Sequence, residues 1–273
     1  TELSFVLDKS FLSKYPSLNY IATPTTSLTH IDTEYCSNHG ISIFSLKNKQ
    51  ELISDFTSTP EIAWWHLIEL SRNCSKAQSS VVNGEWNRKD FFRNSFSNKN
   101  FGIIGFGRIG QSLASYALGA GMDVIAIDQY STPVNISLPL GLNNKIDIEI
   151  TPTTDLKSVL GNLDYISIHV PKQADGSAVI RSAEFALMKK GVRIVNAARG
   201  GVIDEIDLID ALNNGTVAGI ALDVYENEPN PKKELISHPK IACTPHIGAA
   251  TNEAQDRIGE ELAQLIIAQF GPK

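Results

Sequence analysis

The segment that most constrains this chain runs from Phe101 to Gln111: four mostly apolar residues, then glycines at 105, 107 and 110, then a stretch of helical periodicity to about Ala120. Glycine inside a helix or strand costs roughly 0.5–1 kcal/mol, so three at this spacing need a purpose. A strand turning sharply into a helix supplies one. Gly105 allows the turn, Gly107 lets the backbone approach a ligand, and Gly110 lets helix and strand pack closely. The helix from Arg108 then presents its first N–H groups and the positive end of its dipole to an anion such as a pyrophosphate.

The next apolar run ends at Asp128, eighteen residues after Gly110. A carboxylate there accepts hydrogen bonds from ribose hydroxyls and repels a 2′-phosphate, which favours NAD over NADP. Taken singly, the glycines could make a plain tight turn and Asp128 could be a solvated strand-end acid. The register of strand, glycines, helix and acid together points to a dinucleotide.

From there the rhythm is regular. Apolar runs at 123–128, 164–170, 192–198, 217–224 and 240–245 alternate with helical stretches, separated after Asp128 by a segment read as irregular. The runs are continuous rather than alternating, as in strands covered on both faces, so the pattern predicts an α/β fold with a doubly wound parallel sheet. Upstream, residues 18–24, 31–40 and 41–46 read as strand, helix and strand. Ile62, Trp65, Ile68 and Leu70 predict one long helix from Pro60 to about Val82, followed by an irregular arm carrying Trp86, Phe91 and Phe92. A helix from Thr251 to about Phe270 closes the chain. The expected division is a smaller unit at 1–59 completed by 248–273, and a dinucleotide-binding domain at 60–247.

A net charge of −6 over 273 residues argues against nucleic acid or an anionic membrane surface as the main partner. Cys36, Cys74 and Cys243 are odd in number and in no metal-ligand spacing, so reduced thiols in a cytoplasmic protein and no metal site are expected. No apolar run reaches the roughly 18 residues needed to span a bilayer. The chain opens on Thr1 with what reads as mid-domain sequence, so the natural protein is expected to begin earlier.

Three polar residues stand where a parallel sheet places its ligands: Arg199 after one run, Glu228 after another and His246 after the last. Reduction of a carbonyl needs a hydride, a proton at the oxygen and, for an acid substrate, a cation. Histidine is the side chain suited to exchanging that proton, a role His246 could fill. Glu228 on the other ring nitrogen would fix its tautomer and favour the imidazolium. Arg199 offers a planar fork matched to the carboxylate and carbonyl of a 2-oxo acid. Alone, each has a bland reading: a satisfied loop histidine, a loop charge, a structural ion pair.

The stretches FGIIGFGRIGQSLA, YISIHVP, VRIVNAARGGVIDE, ALDVYENEP and TPHIGAAT, in this order and spacing, resemble the D-isomer-specific 2-hydroxyacid dehydrogenases, the group that includes phosphoglycerate dehydrogenase and hydroxypyruvate reductase. The resemblance covers essentially everything from Pro60 onward. It implies a Rossmann domain with a smaller flavodoxin-like α/β substrate domain whose first strand and helix have no counterpart here. It also implies catalytic roles for Arg199, Glu228 and His246, and a homodimer. Trp86, Phe91 and Phe92 resemble the dimer-forming arm, though they could equally pack on their own domain.

Carried over residue by residue, the resemblance gives Arg108 and Ile109 N–H groups to the pyrophosphate and Asp128 to the ribose. His169, Val170 and Pro171 line the adenine side, with His169 read equally as a buried strand-end residue. Ala198 falls near the nicotinamide ribose, Asp223 accepts from the carboxamide, and His246 and Gly248 complete the cofactor side. The backbone of Thr26 and Ser27 would bind the substrate carboxylate, with Ser27 where the family usually has glycine. After Pro171 the chain departs from the family with Lys172, Gln173, Ala174, Asp175 and Gly176.

The carboxylate at Glu228 argues against a formate dehydrogenase, whose counterpart is Gln, and the residues after His246 differ from those of D-lactate dehydrogenases. The favoured expectation is an NAD-dependent enzyme interconverting a 2-oxo acid and a D-2-hydroxy acid, most like D-3-phosphoglycerate dehydrogenase, with hydroxypyruvate or glyoxylate reductase as alternative. A different class, an NAD(H)-sensing corepressor or binding module, would keep the same fold and residues.

Overall fold

The computed structural model describes residues 6–25, 28, 30–46, 57–141 and 143–271. The chain separates into two units, Thr1–Phe56 with Ala249–Lys273, and Thr57–Gly248.

In the larger unit, β3 (Asn100–Ile104), β4 (Asp123–Ile127), β7 (Tyr165–Ile168), β8 (Val192–Asn196), β9 (Val217–Leu222) and β10 (Ile241–Cys243) form one sheet, ordered β10-β9-β8-β7-β3-β4. Every pairing in it is parallel. Beyond β4, Thr153 adds a single parallel bridge to Ile127. The chain leaves β3 for β4 on one side and later returns to β7 on the other, so strand order reverses between β3 and β7. A crevice at such a switch point, outside the carboxyl ends of the strands, is where open α/β sheets hold ligands.

Both faces of this sheet are buried, which is why its strands read as unbroken apolar runs. Phe101, Ile103, Tyr165, Val195 and Ala221 pack on one side with α3 (Ser58–Arg72) and α5 (Arg108–Gly119) through Ala63, Leu67, Leu113 and Ala117. Ile104, Ile166, Ile168, Ile194 and Ile220 pack on the other with Phe185 of α7 (Ser182–Leu187) and Leu208 and Leu212 of α8 (Glu205–Asn213). The expected α/β doubly wound sheet is present.

Three local expectations are corrected. The long helix from Pro60 is two, because Asn73 adopts φ 57°, ψ 43° between α3 and α4 (Cys74–Val82). Asn enters this left-handed region more readily than most residues. The buried face of α3 is Ala63, His66 and Leu67 rather than the stripe through Trp65, which is 39% exposed. The segment read as irregular is an antiparallel hairpin of β5 (Val134–Pro139) and β6 (Lys145–Ile150). Val134, Ile136, Leu138 and Ile150 turn inward against the α5 side; their strict alternation was the overlooked signal.

In the smaller unit, β1 (Tyr20–Ala22) pairs in parallel with β2 (Ser42–Phe44), joined through α2 (Thr33–Asn38). Leu7, Leu12, Ile21, Ile31, Cys36 and Ile41 form its core. The closing helix runs Asn252–Phe270, and Phe270 meets Tyr20 edge-on at 4.6 Å. Among the described residues no helix is long and apolar enough to cross a membrane, and no group of His, Cys, Asp and Glu could hold a metal ion.

Candidate active site

Each glycine of the 105–110 turn does what its position requires. Gly105 has φ +91°, and a Cβ there would lie 2.6 Å from the His169 carbonyl oxygen. A Cβ on Gly110 would lie 2.3 Å from the Gly105 oxygen. A Cβ on Gly107 would meet nothing within 4 Å. Gly107 therefore faces open space, at the start of a helix whose first N–H groups receive no side-chain cap. An uncapped helix N-terminus beside a bare glycine fits a pyrophosphate.

Asp128 follows β4 and accepts the Phe106 N–H at 2.7 Å and the Tyr130 N–H at 3.3 Å. The acid thus fastens the glycine turn, a role its sequence position did not reveal. Asp128→Ser should weaken NAD binding and shift preference toward NADP in a titration of both; unchanged preference would remove the ribose contact.

His169, after β7, is held by its N–H to Ile104 O at 2.7 Å and by Nε2 to Ser167 Oγ at 2.8 Å. Burial pushes its pKa down to about 3, so it is neutral. Val170 lies half-buried beside it and Pro171 is exposed. Ala198 and Arg199 follow β8. The Ala198 N–H donates to Asn196 Oδ1 at 3.1 Å, and Arg199 Nη1 donates to Ala198 O at 2.6 Å.

Beyond β9 and β10 lie the remaining groups. Glu228 Oε2 is 2.7 Å from His246 Nδ1, and its Oε1 accepts the Tyr225 N–H at 2.8 Å. Burial alone would raise the Glu228 pKa, but the hydrogen bonds from His246 and Tyr225 and the charges of His246 and Arg199 outweigh it and hold the carboxyl below its ordinary value. Burial lowers the Arg199 pKa, and Glu228 partly offsets this. His246 itself has φ 54°, in the left-handed region. Its loop is pinned there by Asp223, fully buried, whose Oδ1 accepts the Ile247 N–H at 2.9 Å and whose Oδ2 accepts the Gly248 N–H at 2.8 Å.

Glu228 thus pairs with the His246 imidazole by a hydrogen bond and with the Arg199 guanidinium by charge, beyond the carboxyl ends of β8, β9 and β10, while the open glycine turn follows β3 in the same sheet. Thr26 and Ser27 lie outside the described residues.

Residues 64–248 match the D-isomer specific 2-hydroxyacid dehydrogenase, NAD binding domain. The chain belongs to this family. Its larger unit is the NAD-binding domain of such a dehydrogenase, and Gly107, the first turn of α5 and Asp128 fit that cofactor. D-3-phosphoglycerate dehydrogenase of Bacillus subtilis is 32% identical over 259 residues, covering 95% of this chain and 46% of that protein. The Sus scrofa enzyme of the same name is 35% identical over 90% of this chain and 43% of its own length. A glyoxylate reductase from Paecilomyes thermophila superposes with a TM-score of 0.73 at 31% identity, over 93% of this chain and 73% of that one. The chain spans less than half the length of these curated relatives.

The NAD-binding domain also contains a polar group that the sequence did not single out. His66, on the buried face of α3, has Nε2 3.0 Å from Thr244 Oγ1, and Thr244 donates to Asp223 Oδ1 at 2.6 Å. Nearby Thr59 donates to Gly248 O at 3.1 Å. Nothing in the sequence distinguished His66 from a spacer in an apolar helix.

Burial lowers the His66 pKa to about 4, against about 6.5 when unfolded. The unfolded chain therefore binds a proton first as pH falls. The stability from a neutral His66 is complete above pH 6.5 and is lost progressively toward pH 4, by about 2 kcal/mol at pH 5. Urea unfolding at pH 7 and pH 5 should show this loss, and His66→Leu should reduce it; an identical slope in the variant would place the titration elsewhere.

Proposed function

We propose that this chain supplies the cofactor site and catalytic residues of an enzyme interconverting a 2-oxo acid and a D-2-hydroxy acid with NAD, 3-phosphoglycerate being the first substrate candidate. The observation that carries the reading is the 2.7 Å His246–Glu228 pair, electrostatically coupled to Arg199 at the sheet edge that begins with the glycine turn. Bound NADH supplies the hydride. Arg199 binds the substrate carboxylate and carbonyl oxygen and orients them, a task suited to its fork. His246, its Nδ1 held by Glu228, gives a proton from Nε2 to the nascent alkoxide and takes it back in oxidation. Asp223 orients the carboxamide, Ala198 borders the nicotinamide ribose, and His169, Val170 and Pro171 border the adenine side.

The two phosphoglycerate dehydrogenases support the choice of substrate, and the glyoxylate reductase supports glyoxylate or hydroxypyruvate as a second reading. Trp86 and Phe92, 79% and 71% exposed, support burial of that arm against a second copy in a homodimer, which sedimentation of the full-length protein reads directly. The deciding experiment is turnover of 3-phosphohydroxypyruvate, hydroxypyruvate and glyoxylate with NADH. Preference for the first supports the reading, preference for the others shifts it to the reductase, and tight NADH binding without turnover of any would favour a sensor.

A further inference from the structure

An imidazole on the apolar face of α3 is costly unless its polar atoms are used. His66 is fully buried among Ala63 and Leu67, where a leucine would fill similar space at no polar cost. Its Nε2 reaches Thr244 Oγ1, and the direction of that bond follows from what Thr244 does next. A hydroxyl has one proton, and Thr244 spends it on Asp223 Oδ1. The threonine oxygen must accept from His66, so His66 carries its proton on Nε2. Its Nδ1, buried and without a partner among the described residues, is then a bare acceptor rather than a stranded donor.

The chain of donors therefore runs one way: His66 Nε2–H to Thr244, Thr244 O–H to Asp223. While the imidazole occupies one side of the threonine oxygen, the hydroxyl proton is confined to the carboxylate. Asp223 has about four acceptor positions. Oδ1 takes Thr244 and Ile247, and Oδ2 takes Gly248. Among the described residues one position on Oδ2 takes no hydrogen bond, the position that a single further N–H donor such as a primary amide would fill.

We propose that His66 is a positioning residue for the nicotinamide end of the cofactor, acting through Thr244 to hold Asp223 aimed at the carboxamide. This rests on the reading of Asp223 given above. It separates the two ends of the dinucleotide: the pyrophosphate and adenosine ribose meet Gly107, α5 and Asp128, none of which the relay touches.

The test compares NADH with ADP-ribose, which keeps those groups and lacks the nicotinamide. Affinities of both are measured by calorimetry on the wild-type chain, His66→Leu, His66→Gln, Thr244→Val and the His66→Leu/Thr244→Val double variant. The expected result is NADH binding weakened about 10-fold in His66→Leu, ADP-ribose binding unchanged, most of the affinity retained in His66→Gln, whose amide can donate in place of Nε2, and a double variant no worse than the poorer single. Equal weakening of both ligands, or of neither, overturns the inference, because a merely structural role does not distinguish them. If His66→Leu does not fold, Thr244→Val decides by the same criterion. A wild-type chain that binds ADP-ribose but gains nothing from the nicotinamide overturns the inference and leaves the cofactor site standing; one that binds neither ligand overturns both.

Discussion

His246→Ala lowers turnover of the full-length protein by about 10²- to 10⁴-fold while leaving NADH affinity nearly unchanged. The nitrogen that would exchange the proton is fixed by the other one: Nδ1 is tied to Glu228 at 2.7 Å, so Nε2 is left for the substrate. Glu228 is itself anchored by the Tyr225 N–H, and the His246 loop by Asp223, so the imidazole arrives preorganised. Glu228→Gln preserves the outline of this pair but removes its charge, and should cost less than His246→Ala because the imidazole remains. Steady-state rates with the best 2-oxo acid read both. A His246→Ala enzyme working at full rate would remove that residue as the proton donor.

Gly200→Ala should be the most damaging small change to the fold. A Cβ at Gly200 would lie 1.8 Å from Tyr225 O, 2.1 Å from Tyr225 C and 2.7 Å from Glu226 N. All three are backbone atoms, and that backbone cannot retreat easily. The Tyr225 N–H is bound to Glu228, and its hydroxyl reaches the carbonyls of Leu222 at 3.0 Å and Thr244 at 2.9 Å. Overpacking against fixed neighbours costs about 3 kcal/mol, which for a domain of this size lowers the melting temperature by roughly 10 °C. Because the displaced segment leads to Glu228, activity should fall even well below the melting point. Gly201→Ala is the comparison. Its φ is +80°, but its nearest neighbour is the flexible end of Lys172 at 3.5 Å, so it should cost only about 1–2 kcal/mol of backbone strain. Melting curves showing the two variants equally stable would refute the argument from close approach.

What was legible in the sequence follows from local periodicity and from motifs whose residues are neighbours in the chain. Continuous apolar runs mark strands buried on both faces, and that is how Ile103 and Ile104 behave, packing on opposite sides of the sheet. Gly105 and Gly110 were legible because each answers to atoms close in sequence or in the adjoining strand. The misreadings have equally local causes. Asn73 breaks a helix that propensity alone would continue, and the hairpin of β5 and β6 was hidden by turn-forming residues around two well-patterned strands.

The chain by itself determined the parallel sheet and the glycine turn and singled out Arg199, Glu228 and His246 as candidates, because residues that follow successive strands gather at a carboxyl edge. Tertiary structure alone decided the hydrogen bonds that aim them: Asp128 on the glycine turn, Glu228 on Nδ1 rather than Nε2, and His66 on Thr244 across 178 positions of sequence. Such pairings depend on how a helix seats against a sheet edge, and the buried polar atoms of a well-packed interior must find partners wherever packing puts them. No periodicity along the chain records that choice.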